Sequence, residues 1–186
     1  MKRIFDLFVA VNALIAFILP MLLIAILVKL SSRGPILYWS DRIGQLNHVF
    51  KMPKFRTMVI GTPAVATHLM DNPDIYLTST GRFLRKFSMD ELPQLLSILK
   101  GDMSLVGPRP ALFNQDDLIE LRTKQEVHLL IPGLTGWAQI NGRDDLPIRE
   151  KVEYDKYYLD NHSFLLDCNI IIQTLYKIFH CEGVRH

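Results

Sequence analysis

The chain has 186 residues, 49% of them hydrophobic and 22% charged, with a formal net charge of +2. That length suits one catalytic-sized unit with a modest core, and the near-neutral charge gives no support for nucleic-acid binding. Ten Pro and ten Gly scattered without tracts exclude a disordered tail, and two cysteines without C-x-x-C spacing fit reduced, cytosol-facing thiols.

Mean hydropathy is +0.15, and the excess is local, because Leu7 to Val28 contains no charged residue. As a helix this run would be roughly 33 Å long, enough for a bilayer core of about 30 Å. A single such run excludes a polytopic transporter, and it is long for the apolar part of a cleaved signal peptide. Pro20 sits in its middle, where a proline removes a backbone bond and kinks a helix, and polar Asn12 lies in its first half. Both flanks are basic, Lys2 and Arg3 before and Lys29 and Arg33 after, which draws both ends toward the cytoplasm. A re-entrant helix broken at Pro20 satisfies both flanks. A transmembrane helix with a tolerated proline kink is the alternative. The expected organisation is residues 1–30 as this membrane helix and residues 31–186 as a cytoplasmic domain.

From Ser31 to Thr57, Gly34-Pro35 and Gly44 punctuate short apolar stretches that read as a small β-hairpin or an extended loop. Ser88-Met89-Asp90-Glu91 has capping-box form, and Leu92, Leu95, Leu96 and Leu99 follow at helical spacing until Lys100-Gly101. A helix is expected from Asn114 to about Leu130, stopped by Pro132-Gly133. Another begins near Pro147 and carries Ile148, Val152, Asp155 and Leu159 on one stripe. The last follows Ser163 as its cap and reaches about His180, with a broad apolar face suited to core packing or to an amphipathic position in the interface. The fold class expected is mainly α with a small β-hairpin, α+β.

The sequence has no phosphate-binding glycine loop, no H-E-x-x-H, no nucleophile elbow and no D-x-D triplet, and its six histidines are dispersed. Asp90-Glu91 remains, preceded by Arg82, Arg85 and Lys86. One carboxylate could attack a phosphate while the other holds a divalent cation. From the residues alone the plainer reading is that Glu91 closes a capping box and Asp90 complements the helix dipole. Lys54-Phe55-Arg56, Pro108-Arg109-Pro110 and the glycine-rich turn ending in Arg143 set cations in extended or rigid frames suited to phosphate. Asp155, in an otherwise apolar stripe, needs a partner, and an arginine from these loops is the candidate.

The stretches Lys54–Met58, Thr80–Leu95, Gly101–Pro110, Pro132–Arg143 and Tyr154–Tyr158 resemble the bacterial sugar transferase family, the small monotopic phosphoglycosyl transferases. The resemblance runs in one order along nearly the whole chain, and looks nearest to members that start N-linked glycan assembly from UDP-diacetylbacillosamine. It implies transfer of a phosphosugar from a UDP-sugar to undecaprenyl phosphate, with release of UMP and with Mg²⁺ as cofactor. Carried onto matching positions, Asp90 would be the nucleophile and Glu91 the Mg²⁺ ligand. Lys54, Arg56, Arg85, Arg109 and Arg143 would contact phosphate or nucleotide, with Asp155 a further substrate-site residue. It also implies a re-entrant N-terminal helix breaking at a proline and placement on the cytoplasmic face of the bacterial inner membrane. Partners implied are the donor, the lipid acceptor, membrane lipid and later glycosyltransferases. Relatives often carry Ser where this chain has Leu19, and Asn where it has Ser97.

Overall fold

In the computed structural model, which describes residues 1–63, 65, 72–142 and 146–180, the apolar run becomes one helix, α1 (Lys2–Ser31). Pro20 lies inside it, so the backbone bond the proline deletes does not end the helix. The expected hairpin follows: β1 (Leu37–Ile43) pairs antiparallel with β2 (Val49–Phe55), Leu37 opposite Phe55 and Ile43 opposite Val49. Its two strands are both edges, which is why Pro53 is tolerated in β2.

Helix α2 (Ser79–Lys86) is capped by Thr78, whose hydroxyl accepts from the Gly81 amide at 3.0 Å. A 3-10 turn, Met89–Gln94, then leads into α3 (Leu95–Lys100), which ends on Gly101 at φ +101°, a left-handed position that suits glycine. The capping box expected at Ser88 does not form. Ser88 itself takes a left-handed conformation, φ +52°, and its side chain makes no capping bond. A left-handed residue turns the chain sharply from α2 into the Asp90-Glu91 turn, so the hydroxyl cannot sit over the following amides.

Two strands went unrecognised in the sequence. β3 (Ser104–Val106) and β4 (Gly133–Thr135) pair in parallel, Ser104 opposite Gly133 and Val106 opposite Thr135. Three residues are too few to show a period of two. Between them, the helix expected to reach Leu130 is only α4 (Asp116–Lys124). Glu126 adopts φ +62°, and a 3-10 turn, Val127–Leu129, follows. The remaining helices are α5 (Trp137–Asn141), α6 (Ile148–Asn161) and α7 (Phe164–Phe179), the last capped by the Ser163 hydroxyl, 3.2 Å from the Leu166 amide.

Both halves of α1 pack against this domain. Ala10 joins the larger core with Met52, Leu95, Ile98 and Met103, whereas Ile24 and Val28 pack with Phe55 and Leu84. Polar bonds reinforce both ends. Arg3 donates to the Ile98 and Leu99 carbonyls at 2.6 and 3.0 Å, meeting the orphan acceptors at the end of α3. Buried Asp6 accepts from the Ser104 hydroxyl at 2.8 Å and the Leu105 amide at 3.2 Å. Lys2 reaches Asp167 at 2.7 Å, and the Ser31 hydroxyl lies 2.9 Å from that of Thr80. Away from the domain, α1 exposes Ile4, Phe8, Ile15, Ile18, Leu22 and Leu30. Helix α7 serves both readings given to it. Ile170 is fully buried in the core, while Leu165 and Ile172 stay 80% and 66% exposed.

Candidate active site

The site is built where β2 crosses the Met89–Lys100 segment. Alternate residues of a strand share a face, so Met52 and Lys54 point the same way. Met52 packs into the core with Leu95 and Ile98. Lys54, two residues on, meets Glu91, four residues before Leu95, with Nζ 2.7 Å from Oε1. Arg109, on the chain leaving β3, brings Nη2 to the same oxygen at 3.2 Å. Glu91 is thus clamped between two cations instead of closing a helix cap. Asp90, beside it, is buried with 7% exposure.

The two carboxylates are driven apart electrostatically. Burial, reinforced by the Glu91 charge, pushes Asp90 up from its ordinary 3.8 to about 6, against the pull of Lys54 and Arg85. Burial acts upward on Glu91 too, but Lys54 and Arg109 outweigh it and hold Glu91 well below the usual carboxylate range. Lys54 is lowered by burial, with Glu91 opposing. One carboxylate is therefore firmly anionic and the other is poised near the working pH, an arrangement expected where neighbouring acids have different tasks.

Asp90 and Glu91 open onto a cavity of about 1430 Å³. Cations from Arg42, Lys54, Arg85, Arg109, Arg122 and Lys151 line it, which suits a substrate with several negative charges. Its other wall is apolar, from Val9, Ala13, Phe17, Pro20 and Ile24 of α1 to Ile171, Leu175 and Ile178 of α7. The volume exceeds that of most single-ligand pockets.

Of the residues singled out from the sequence, Lys54, Arg85, Asp90, Glu91 and Arg109 come together here. Arg85 donates from Nε to the Thr57 hydroxyl at 3.2 Å. Arg56 also lines the cavity, yet its guanidinium is spent on the chain after α1, donating to the Arg33 and Ser32 carbonyls at 2.6 and 2.9 Å. Arg143 lies outside the described residues. Asp155 corrects the expectation. It is 1% exposed, does not line the cavity, and its partner is Arg122 of α4, at 2.6 and 3.0 Å, instead of a loop arginine. Arg122 also donates to the Arg109 carbonyl at 2.8 Å. Asp155 thus holds Arg122, which braces the backbone of Arg109, which holds Glu91. Arg122 was missed because nothing distinguishes it on an exposed-looking helix; its signal was the partner that buried Asp155 had to have.

The sequence model of the family described as bacterial sugar transferases matches residues 1–181. The chain belongs to the bacterial sugar transferase family. It is 42% identical over 187 residues to the uncharacterized sugar transferase EpsL of Bacillus subtilis (strain 168), covering 100% of this chain and 90% of that one. It is 37% identical to the UDP-N-acetylgalactosamine-undecaprenyl-phosphate N-acetylgalactosaminephosphotransferase of Aeromonas hydrophila, over 99% of this chain and 45% of the relative. To the UDP-glucose:undecaprenyl-phosphate glucose-1-phosphate transferase of Escherichia coli (strain K12) it is 39% identical, over 96% of this chain and 40% of the relative. The chain therefore spans less than half the length of these two relatives named for a reaction. Those names carry glucose and N-acetylgalactosamine and do not single out the diacetylbacillosamine donor.

For a sugar transferase of this family the metal expectation can be tested on donor chemistry. Among the described residues, no group of three or more His, Cys, Asp or Glu gathers to cage a metal. Mg²⁺ is instead commonly held by one or two carboxylates together with substrate phosphates. Asp90 and Glu91 supply hard carboxylate oxygens of the kind that mode uses, and Glu91, held well below the usual carboxylate range, would be the charged ligand.

Proposed function

We propose that this chain moves a phosphosugar from a UDP-sugar to undecaprenyl phosphate, releasing UMP, through a covalent intermediate on Asp90. The observation that carries the reading is the split pair, a poised carboxylate beside a clamped one, in the wall of a cation-lined cavity. In the first half-reaction an Asp90 oxygen attacks the β-phosphorus. The bond from that phosphorus to the bridging oxygen breaks, and UMP leaves with the oxygen. In the second, a phosphate oxygen of the lipid attacks the same phosphorus and frees the Asp90 carboxylate. Lys54, Arg85 and Arg109 offset the negative charge that otherwise repels an anionic nucleophile from a diphosphate. Glu91 would hold Mg²⁺, which adds charge neutralisation at the phosphates when bound.

The apolar wall of α1 and α7 supports a lipid acceptor, and two-ended docking of α1 supports a re-entrant, monotopic placement on the cytoplasmic face of the inner membrane. A membrane scaffold in which Asp90 and Glu91 merely cap a helix is disfavoured, since Ser88 makes no capping bond and Glu91 pairs with Lys54 and Arg109.

The test incubates purified protein with undecaprenyl phosphate, Mg²⁺ and a donor panel: UDP-diacetylbacillosamine, UDP-N-acetylhexosamines and UDP-hexoses. UMP should appear with at least one donor, and Asp90→Asn should abolish it. Release of UDP, or full activity in Asp90→Asn, would overturn the mechanism.

A further inference from the structure

Far along the sequence from Asp90, α5 places Gln139 in the wall of the same cavity. The residue is 7% exposed, and both its Nε2 and Oε1 atoms are buried with no hydrogen-bond partner. Elsewhere among the described residues, unpaired buried side-chain atoms occur one at a time, on Ser32, Arg56, Gln94 and His128. Leaving a buried donor and a buried acceptor unmet together is expensive, so such a group in a native fold calls for a partner from outside the chain.

The neighbours do not supply one. On the same cavity wall, Thr174 donates to the Ile170 carbonyl at 2.8 Å and so accepts from Thr135, 2.6 Å away, which leaves neither hydroxyl proton for Gln139 Oε1. Gly136 packs closely on both sides: a Cβ there would come within 2.6 Å of Gln139 Oε1 and within 2.1 Å of the Gly107 carbonyl oxygen. Only glycine fits between this carboxamide and the Gly107 backbone.

A carboxamide offers one donor face and one acceptor face side by side. Its complement is a group with an N–H and a C=O close together. We propose that Gln139 is a recognition residue for an amide or imide group on the phosphosugar donor. This rests on the donor reading above. Two parts of a UDP-sugar carry that chemistry: the imide edge of uracil and, in acetamido sugars, the N-acetyl group.

Gln139→Met keeps the shape and removes both polar atoms, and Gln139→Glu keeps one acceptor as a second probe. Binding of UDP, which has only the imide, and of N-acetylglucosamine 1-phosphate, which has only the acetamide, is measured on the full chain in detergent without acceptor lipid. Gln139→Met should weaken one of the two by about tenfold or more, since the ligand group is then buried unpaired. Loss for UDP assigns the residue to the base, and loss for the sugar phosphate assigns it to the sugar. The same variant should raise the thermal midpoint of the ligand-free protein, so stability and affinity move in opposite directions, which a purely structural glutamine would not produce. Affinities of Gln139→Met and Gln139→Glu within twofold of wild type for both ligands would overturn the inference. If wild type released UMP while both variants bound normally, only this inference would fall. Absence of UMP release by wild type from every donor would instead sink the reaction reading.

Discussion

At Asp90 the structure ties chemistry to stability through one ionisation. The free carboxyl has an ordinary value of 3.8, and burial raises it to about 6 in the folded chain. Between those values the folded state binds the proton and the unfolded state does not, so stability falls as pH rises through that window. Ionised Asp90 therefore costs the fold about 2–3 kcal/mol at neutral pH. Asp90→Asn should abolish UMP release yet raise the thermal midpoint at pH 7.5 by several degrees, with the gain shrinking toward pH 4. Differential scanning at the two pH values checks it; an Asn variant that melts below wild type at pH 7.5 contradicts the burial argument. Because only the carboxylate is a nucleophile, kcat/KM should climb to a plateau with an apparent midpoint near pH 6. Glu91 has the opposite sign. Its depressed ionisation stabilises the fold above its unfolded value, and that contribution fades as pH falls.

At the scale of elements, the same sequence signal had two readings, and only geometry could separate them. Thr78 and Ser88 are both hydroxyl residues before helical turns, but Thr78 caps α2 and Ser88 does not cap the turn after it. Thr78→Ala should lose about 1 kcal/mol and Ser88→Ala less than about 0.5 kcal/mol, read from chemical unfolding in detergent. Equal losses would restore the capping box. The Asp155–Arg122 pair makes the complementary case for burial. Its carboxylate and guanidinium are 1% and 9% exposed at the side chain, so removing one partner strands the other. Arg122→Met or Asp155→Asn alone should cost about 3–5 kcal/mol, and the double variant with an apolar pair should recover most of it. Activity in that double variant should stay depressed, because the brace on the Arg109 carbonyl is gone. Recovery of full turnover would remove Arg122 from the positioning chain. These cases show what the sequence makes legible. The helix start marked by Ser163 and the hairpin could be read from local pattern, whereas Asp90-Glu91 with Lys54 and Arg109 stood out as a site only through the family resemblance, and the Thr78 start of α2 was not read at all. Three-residue strands, a left-handed Ser88, the Arg122 partner and the unpaired Gln139 depend on contacts between distant segments, which no local pattern carries.

For the whole molecule, the decisive length is that of α1. Thirty residues of helix would extend about 45 Å if straight, more than the roughly 30 Å of a bilayer core. Yet both ends are bonded to the same domain: Lys2 to Asp167 and Arg3 to the end of α3 at one end, Ser31 to Thr80 at the other. Separating the ends across a bilayer would pull Lys2, Arg3 and buried Asp6 from their partners and drag three ionisable groups toward lipid or through it. With α1 docked at both ends, its exposed apolar residues and those of α7 would meet lipid without that penalty. Cysteines placed singly at Met1 and Arg33, with Cys168 and Cys181 replaced by serine, should therefore both react from the cytoplasmic side of inverted vesicles and neither from the opposite side. Labelling on opposite faces would make α1 a transmembrane span, and the polar clamp at its start would then have to be absent from the membrane-bound protein.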